Sequence, residues 1–369
     1  MALIEPIRFI PTEKSHFYST LHARVDAYFK ERGISKHANV GIVFKMIVLL
    51  SAYLLPLVYM MFFQPGMGIS MALWAFMGLG MAGVGMSIMH DANHGAFSEN
   101  NRLNEWIGQS IILLGGSALN WKLQHNNLHH TFTNIAQYDD DIADKPGLRL
   151  SPHTEVSYGH RFQWLYAIFI YSLVTLYWVT GKDFAQYIRY TRIGVNKNNP
   201  AQNRVFLLKI IAIKVAYFFL FMGLPILAGL PAGQVVAGFL LMHVTGGIIL
   251  TIIFQLAHSV EETTYPLPNA QGIVENEWAI HQMNTTVNFS RRNKLLSWYV
   301  GGLNFQVEHH LFPKICHVHY PHIAGIVEST AAEFNVPYLE HKSFGRALQS
   351  HFNMLRRFAK LPHMDELMG

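Results

Sequence analysis

After about forty polar residues of mixed charge, the chain becomes apolar in long blocks. Five of these, Gly41–Phe63, Ile69–Met89, Phe162–Thr180, Val205–Leu230 and Gln234–Ala257, approach or exceed the ~20 mostly apolar residues that a membrane-spanning helix requires. A shorter block runs from Trp106 to Leu119. The first two blocks are joined by "QPGMG" and the last two by "PAG", links that permit only tight hairpins and carry no charge. Ahead of the blocks, "SHFYSTLHARVDAYFKERG" reads as an amphipathic helix closed by Gly33. The amino-terminal stretch has no short apolar core of the kind a signal peptide carries.

Charge gives the hairpins a direction. Arg24, Lys30, Arg32, Lys36 and Lys45 precede the first, and Lys182, Arg189, Arg192, Lys197, Arg204, Lys209 and Lys214 precede the second. By the positive-inside rule the hairpin tips face away from the cytosol. If both hairpins are complete, block 162–180 cannot also cross. Its Trp, Tyr, Ser and Thr content suits the interface. The expected fold is an all-α integral membrane protein with four transmembrane helices in two hairpins and a cytosolic helical cap. It is read as one domain: residues 1–40 an amphipathic lead, 41–89 the first hairpin, 90–204 cytosolic or interfacial, 205–257 the second hairpin and 258–369 cytosolic.

Composition supports this. Hydrophobic residues make up 51% of the 369 and charged residues 14%, well below the ~25% charged of soluble domains. The net charge of +5 fits loops facing an anionic leaflet. No basic cluster interleaved with aromatics is present, so nucleic acid is not expected as a partner. One cysteine, Cys316, rules out an internal disulfide and any multi-cysteine metal site.

Histidine, with 21 copies, changes the picture most. "HDANH" holds His90 and His94, "HNNLHH" holds His125, His129 and His130, and "QVEHH" holds Gln306, His309 and His310. His258 stands where the fourth span ends. On an α-helix, positions i and i+4 share a face, so His90/His94 and His125/His129 each aim two imidazoles at one point. His130, one step round, reaches a second point. Gln306 shares a face with His309 and His310, and Pro313 ends that helix. The topology, derived without the histidines, puts every cluster on one side. Eight histidines exceed one ion and suit two, of zinc, copper, iron or nickel. Asp91, Asp139, Asp140, Asp141, Glu261, Glu262 and Glu308 are candidates to orient the imidazoles, and His281 leans towards the same role. His243, inside a span, reads as a packed core residue. His16, His22, His37, His153, His341, His351 and His363 read as interfacial or exposed. His317, His319 and His322 read as structural or headgroup-facing. The glycines Gly78, Gly80, Gly83 and Gly85 read as helix-contact positions, and Trp121 with Lys122 as a headgroup contact or an interfacial anchor.

The three motifs, in this order and relation to the spans, resemble the histidine boxes of the membrane-bound fatty-acid desaturases. "GGLNFQVEHHLFP" and its glutamine narrow the likeness to the front-end, linoleoyl-CoA desaturase-like branch. The resemblance covers nearly the whole chain. It implies a non-haem centre of two iron ions held by His90, His94, His125, His129, His130, His258, Gln306, His309 and His310. It also implies dioxygen as oxidant and a cis double bond placed in a long-chain fatty-acyl substrate, on CoA or on a lipid. Many front-end members carry a fused cytochrome b5 domain with "HPGG", which is absent here. Electrons are then expected from a separate donor of ferredoxin or cytochrome b5 type with its reductase. The expected site is an integral, multi-pass position with the active site facing the cytosol, in a bacterial inner membrane rather than endoplasmic reticulum. The nearest rival is a membrane di-iron lipid or alkane hydroxylase. A metal transporter would instead line its spans with histidines.

Overall fold

The computed structural model describes residues 7–11, 15–142 and 147–360; His363 lies outside them. The chain is mostly helical. It folds as two compact units, one built from Ala38–Leu123 and Ile168–Ile252, the other from Ala2–His37, Gln124–Ala167 and Ile253–Gly369. Among the described residues, five helices are long and apolar enough to cross a membrane: Val40–Phe63, Met67–His94, Tyr158–Arg192, Pro200–Leu227 and Ala232–His258. The protein is thus a multi-pass membrane protein. Block 162–180, read above as interfacial, is the central part of the continuous helix Tyr158–Arg192.

In the first unit, the opening hairpin forms as its pattern predicts. Gln64, in the left-handed region at φ 43, ends the first helix. The second helix then presents glycines to its neighbours. A Cβ on Gly80 would lie 2.6 Å from the backbone nitrogen of Tyr53, and one on Gly78 2.6 Å from the carbonyl oxygen of Met242. Both are contact positions, as the sequence suggested, because only a missing side chain lets the backbones approach this closely.

Two buried polar side chains inside this unit, His243 and Lys214, are fully bonded to their neighbours. His243 Nδ1 lies 3.1 Å from Thr175 Oγ1, and its Nε2 lies 3.1 Å from the Tyr217 hydroxyl. The Thr175 hydroxyl also donates to the His243 carbonyl at 2.8 Å. His243 is a satisfied core residue, as expected. Lys214 departs from its reading as a charge ahead of the second hairpin. It is buried within Pro200–Leu227, and its ammonium donates to Gly115 O, Trp178 O and the Asp183 carboxylate at 2.5, 2.7 and 2.5 Å. All three protons are engaged, so it contributes nothing to the positive-inside count. Lys45 is likewise buried.

In the second unit, the helix Phe17–Arg32 ends at Gly33 with φ 60, as its sequence predicts. It buries Phe17, Leu21, Val25 and Phe29, four residues apart, in a core with Ile323, Val327, Met283 and Val307. Two short parallel pairings complete the unit, Arg8–Phe9 with Ile273–Val274 and Asn288–Phe289 with Glu340–His341. His341 and His351, read as interfacial or exposed, are buried. His351 Nδ1 sits 2.7 Å from the Ser259 carbonyl, and burial pushes its imidazole down to about 4. His341 Nε2 lies 3.1 Å from Glu262. Both occupy the carboxy-terminal stretch, whose packing role has no local signature.

The buried Lys214–Asp183 pair makes a test. Lys214→Ala strands the carboxylate and should cost about 3–5 kcal/mol, whereas Lys214→Met with Asp183→Leu should lie near neutral. Thermal unfolding of the purified protein in detergent or nanodiscs reads the difference.

Candidate metal centre

The second box does not form an ordinary α-helix. Leu123–His129 is a π-helix, continued by an α-helical turn at His130–Phe132. Its i→i+5 hydrogen bonding widens the turn. In an α-helix, residues five apart diverge by about 140°. Here His125 and His130, five apart, bring their Nε2 atoms to 3.2 Å. The two rings are in close contact, while their ligand atoms fall in different groups, His125 with His129 and Asp141, and His130 with His309 and His310.

The third box lies on the helix Gln306–Leu311, all six residues buried. Within the second unit this box, the second box and His258 come together. Ligand atoms of His129, His258 and His310 lie within 4.8 Å of one another, and so do those of His130, His309 and His310. His310 belongs to both groups. The six imidazoles, including His125, are each at most 5% exposed.

The outer ring nitrogens explain why these rings point inward. His129 Nδ1 lies 3.1 Å from both oxygens of Asp139. His258 Nδ1 lies 3.2 Å from Thr285 O. His310 Nδ1 lies 2.9 Å from Gln282 Oε1. A carboxylate and a carbonyl oxygen can only accept, so in all three rings Nδ1 carries the proton and Nε2 keeps its lone pair. The Gln282 amide is itself fixed, because its Nε2 donates to the His130 carbonyl at 3.2 Å and its Oε1 accepts from the Thr133 hydroxyl at 2.9 Å. His309 Nδ1 pairs with the Tyr320 hydroxyl at 3.1 Å. Anchored Nδ1 and convergent Nε2 is the arrangement by which proteins orient metal-binding imidazoles. The His258 Nε2 is buried without a hydrogen-bond partner, a cost that a bound cation would remove. The donor set therefore fits a transition-metal ion.

Of the carboxylates proposed to orient rings, Asp139 does so and Asp141 approaches His129 at 3.3 Å. Glu308 does not: its two oxygens accept from Tyr338 at 2.6 Å and Asn288 at 2.9 Å. Burial raises its pKa, while those two bonds pull it down. Glu261 and Glu262 bind Asn353 and Ser350. The role given to His281 falls to its neighbour Gln282. His281 instead packs on Phe9 at 5.0 Å between ring centroids, and burial pushes it down to about 4. Gln282, Thr133 and Tyr320 were missed, since uncharged side chains carry no signal until the fold sets them beside an imidazole. Gln306 opens the third-box helix, 1% exposed, and its Nε2 has no hydrogen-bond partner.

The first box belongs to the other unit. His90 and His94 form the last turn of Met67–His94, after a π-helical stretch at Val84–Ile88. Their ring centroids are 4.7 Å apart, as the i, i+4 spacing predicts. Trp121, read as a headgroup contact or interfacial anchor, is buried with its ring 5.6 and 5.5 Å from theirs.

A family model described as fatty acid desaturase matches residues 68–342. The chain belongs to the fatty acid desaturase family. It is 33% identical to the sn-1 linoleoyl-lipid 6-desaturase of Synechocystis sp., over 98% of this chain and 99% of that protein. It is 33% identical to the protein of the same description from Arthrospira platensis, over 94% and 93%. It is 34% identical to the acyl-lipid (8-3)-desaturase of Physcomitrium patens, over 95% of this chain and 73% of the other. The desaturase is accordingly an oxidoreductase acting on fatty-acyl chains, and the front-end branch suggested by "QVEHH" agrees with these relatives.

Gln282→Leu removes the His310 anchor and should weaken metal retention about 10–100-fold. His281→Leu, one residue away, should leave metal content unchanged. Metal analysis of the two purified variants separates an anchoring role from a packing one.

Proposed function

We propose that this desaturase works on acyl chains carried by membrane lipid, inserting a cis double bond between an existing double bond and the carboxyl end. The relatives named for linoleoyl-lipid and acyl-lipid substrates support the carrier. The observation that carries the chemistry is the set of three imidazoles, on His129, His258 and His310, with anchored Nδ1 and convergent Nε2.

The proposed cofactor is a pair of iron ions. Its ligands are drawn from His90, His94, His125, His129, His130, His258, Gln306, His309 and His310. Gln306 would serve through its amide oxygen, which exchanges places with the partnerless nitrogen on rotation of the amide. When bound, the irons supply the dioxygen chemistry needed to remove hydrogen from two adjacent methylenes, which no side-chain acid or base can achieve. The protein's part is orientation. Asp139, the Thr285 carbonyl and Gln282 hold three rings in one tautomer and direction, Tyr320 orients His309, and burial keeps water away.

Two electrons per turnover would come from a separate donor of ferredoxin or cytochrome b5 type with its reductase. For the membrane, we favour four crossings in two hairpins, with the metal centre on the cytosolic side of a bacterial inner membrane. Tyr158–Arg192 is the least apolar of the five long helices and would lie along the interface.

Expression in a host that supplies the donor, fed linoleate, tests this. Fatty-acid profiling by mass spectrometry should show one new, more unsaturated species that His309→Ala abolishes. A hydroxylated chain in its place would transfer the assignment to a hydroxylase. A double bond on the methyl side would remove the front-end reading.

A further inference from the structure

The helix Lys294–Tyr299 buries none of its six residues. It is nonetheless well formed, since the Asn293 side chain accepts from the Leu296 backbone N–H at 3.0 Å. Leu295 is 78% and Trp298 41% exposed. Three residues apart, they share a face. Arg292 and Lys294 beside them are exposed as well. Among the described residues neither cation has an ion pair, whereas the preceding Arg291 is paired with Glu340 and Glu328 at 2.6 and 3.1 Å.

A single exposed leucine is ordinary in water. Leucine and tryptophan on one face, rimmed by two cations, in a protein already known to lie in a membrane, is the pattern of a segment resting in the headgroup layer. A protein partner would need about 800 Å² of surface on each side, more than a six-residue helix offers. We infer that Arg292–Tyr299 is seated on an anionic lipid leaflet, with Leu295 and Trp298 at the acyl boundary and Arg292 and Lys294 on lipid phosphates. The seat is joined to the third box by a stiff turn. Gly301 and Gly302 both adopt φ near +66, and the Asn304 amide donates to the Ser297 hydroxyl at 2.9 Å. The inference needs only the membrane assignment and stands apart from the acyl-lipid reading.

The chain's one cysteine, Cys316, is buried, so a thiol-reactive fluorophore can be directed to Leu295→Cys in the full-length protein. Lys342→Cys, at an exposed position of the same unit, is the reference. Both are reconstituted in phosphatidylcholine vesicles containing phosphatidylglycerol. The Leu295 label should be quenched by spin-labelled lipid and be several-fold less sensitive to aqueous iodide than the reference. Adding Arg292→Gln and Lys294→Gln should restore part of the iodide access. A label that iodide reaches freely and lipid does not quench overturns the inference. One that becomes shielded only on addition of an electron-donor protein overturns it too, in favour of a protein docking site.

Discussion

An imidazole has two nitrogens, and a metal ligand can use only one. What becomes of the other decides whether the ring is held or swings. In this desaturase the outer nitrogen of His129, His258 and His310 is bound to an atom that can only accept, and that choice fixes tautomer and direction together. The anchors come from separate stretches of chain: Asp139 follows the second box, Thr285 and Gln282 lie on the helix Trp278–Thr285 or at its end, and Tyr320 opens a later helix. Much of the second unit can be understood as the means of bringing these anchors to the rings. The amino-terminal helix contributes through its apolar face, which packs in the core that also holds Met283, Val307 and Tyr320.

The spacing in the boxes makes sense only with the backbone that carries it. A motif of the form H-x-x-x-H-H on an α-helix sends its last histidine off to one side. The π-helical turn widens the spiral so that His125 and His130 meet instead. The first box also follows a π-helical stretch. π-Helical turns are uncommon and frequent at functional sites; of the four among the described residues, two adjoin boxes and two, Trp178–Lys182 and Phe219–Gly223, serve the long helices alone. Nothing in "LQHNNLH" announces the change of pitch, because its residue types suit an α-helix equally well.

That contrast shows what could be read from the sequence. The long apolar helices and the opening hairpin were legible because helix length and a short link are local properties. The boxes were legible because histidine pairs on one helix face are local too. Gly78 and Gly80 were legible as contact positions for the same reason. What escaped were pairings between distant residues. Lys214 was counted as a charge ahead of the second hairpin, and its partner Asp183, 31 positions away, was given no role. Among Asp139, Asp140 and Asp141, composition offered no way to choose the residue that holds His129. The credit given to His281 belonged to Gln282, one residue along and about 100° round the helix.

Bonding serves buried polar groups in two ways here. Most buried polar groups are bonded. At Lys214 and His243 bonding closes the groups off: Lys214 spends all three protons, and His243 spends both ring nitrogens, on neighbours within the fold. At His258 bonding leaves something open: the ring is bonded through Nδ1 to the Thr285 carbonyl, and its buried Nε2 stays without a partner. The same side chain, histidine, is structural at position 243 and presented for a ligand at position 258, fifteen residues later on one continuous helix. The difference lies in the second nitrogen. A tyrosine hydroxyl takes it at His243, whereas at His258 the fold supplies no donor. A metal ion is the partner whose chemistry completes that site without adding a proton.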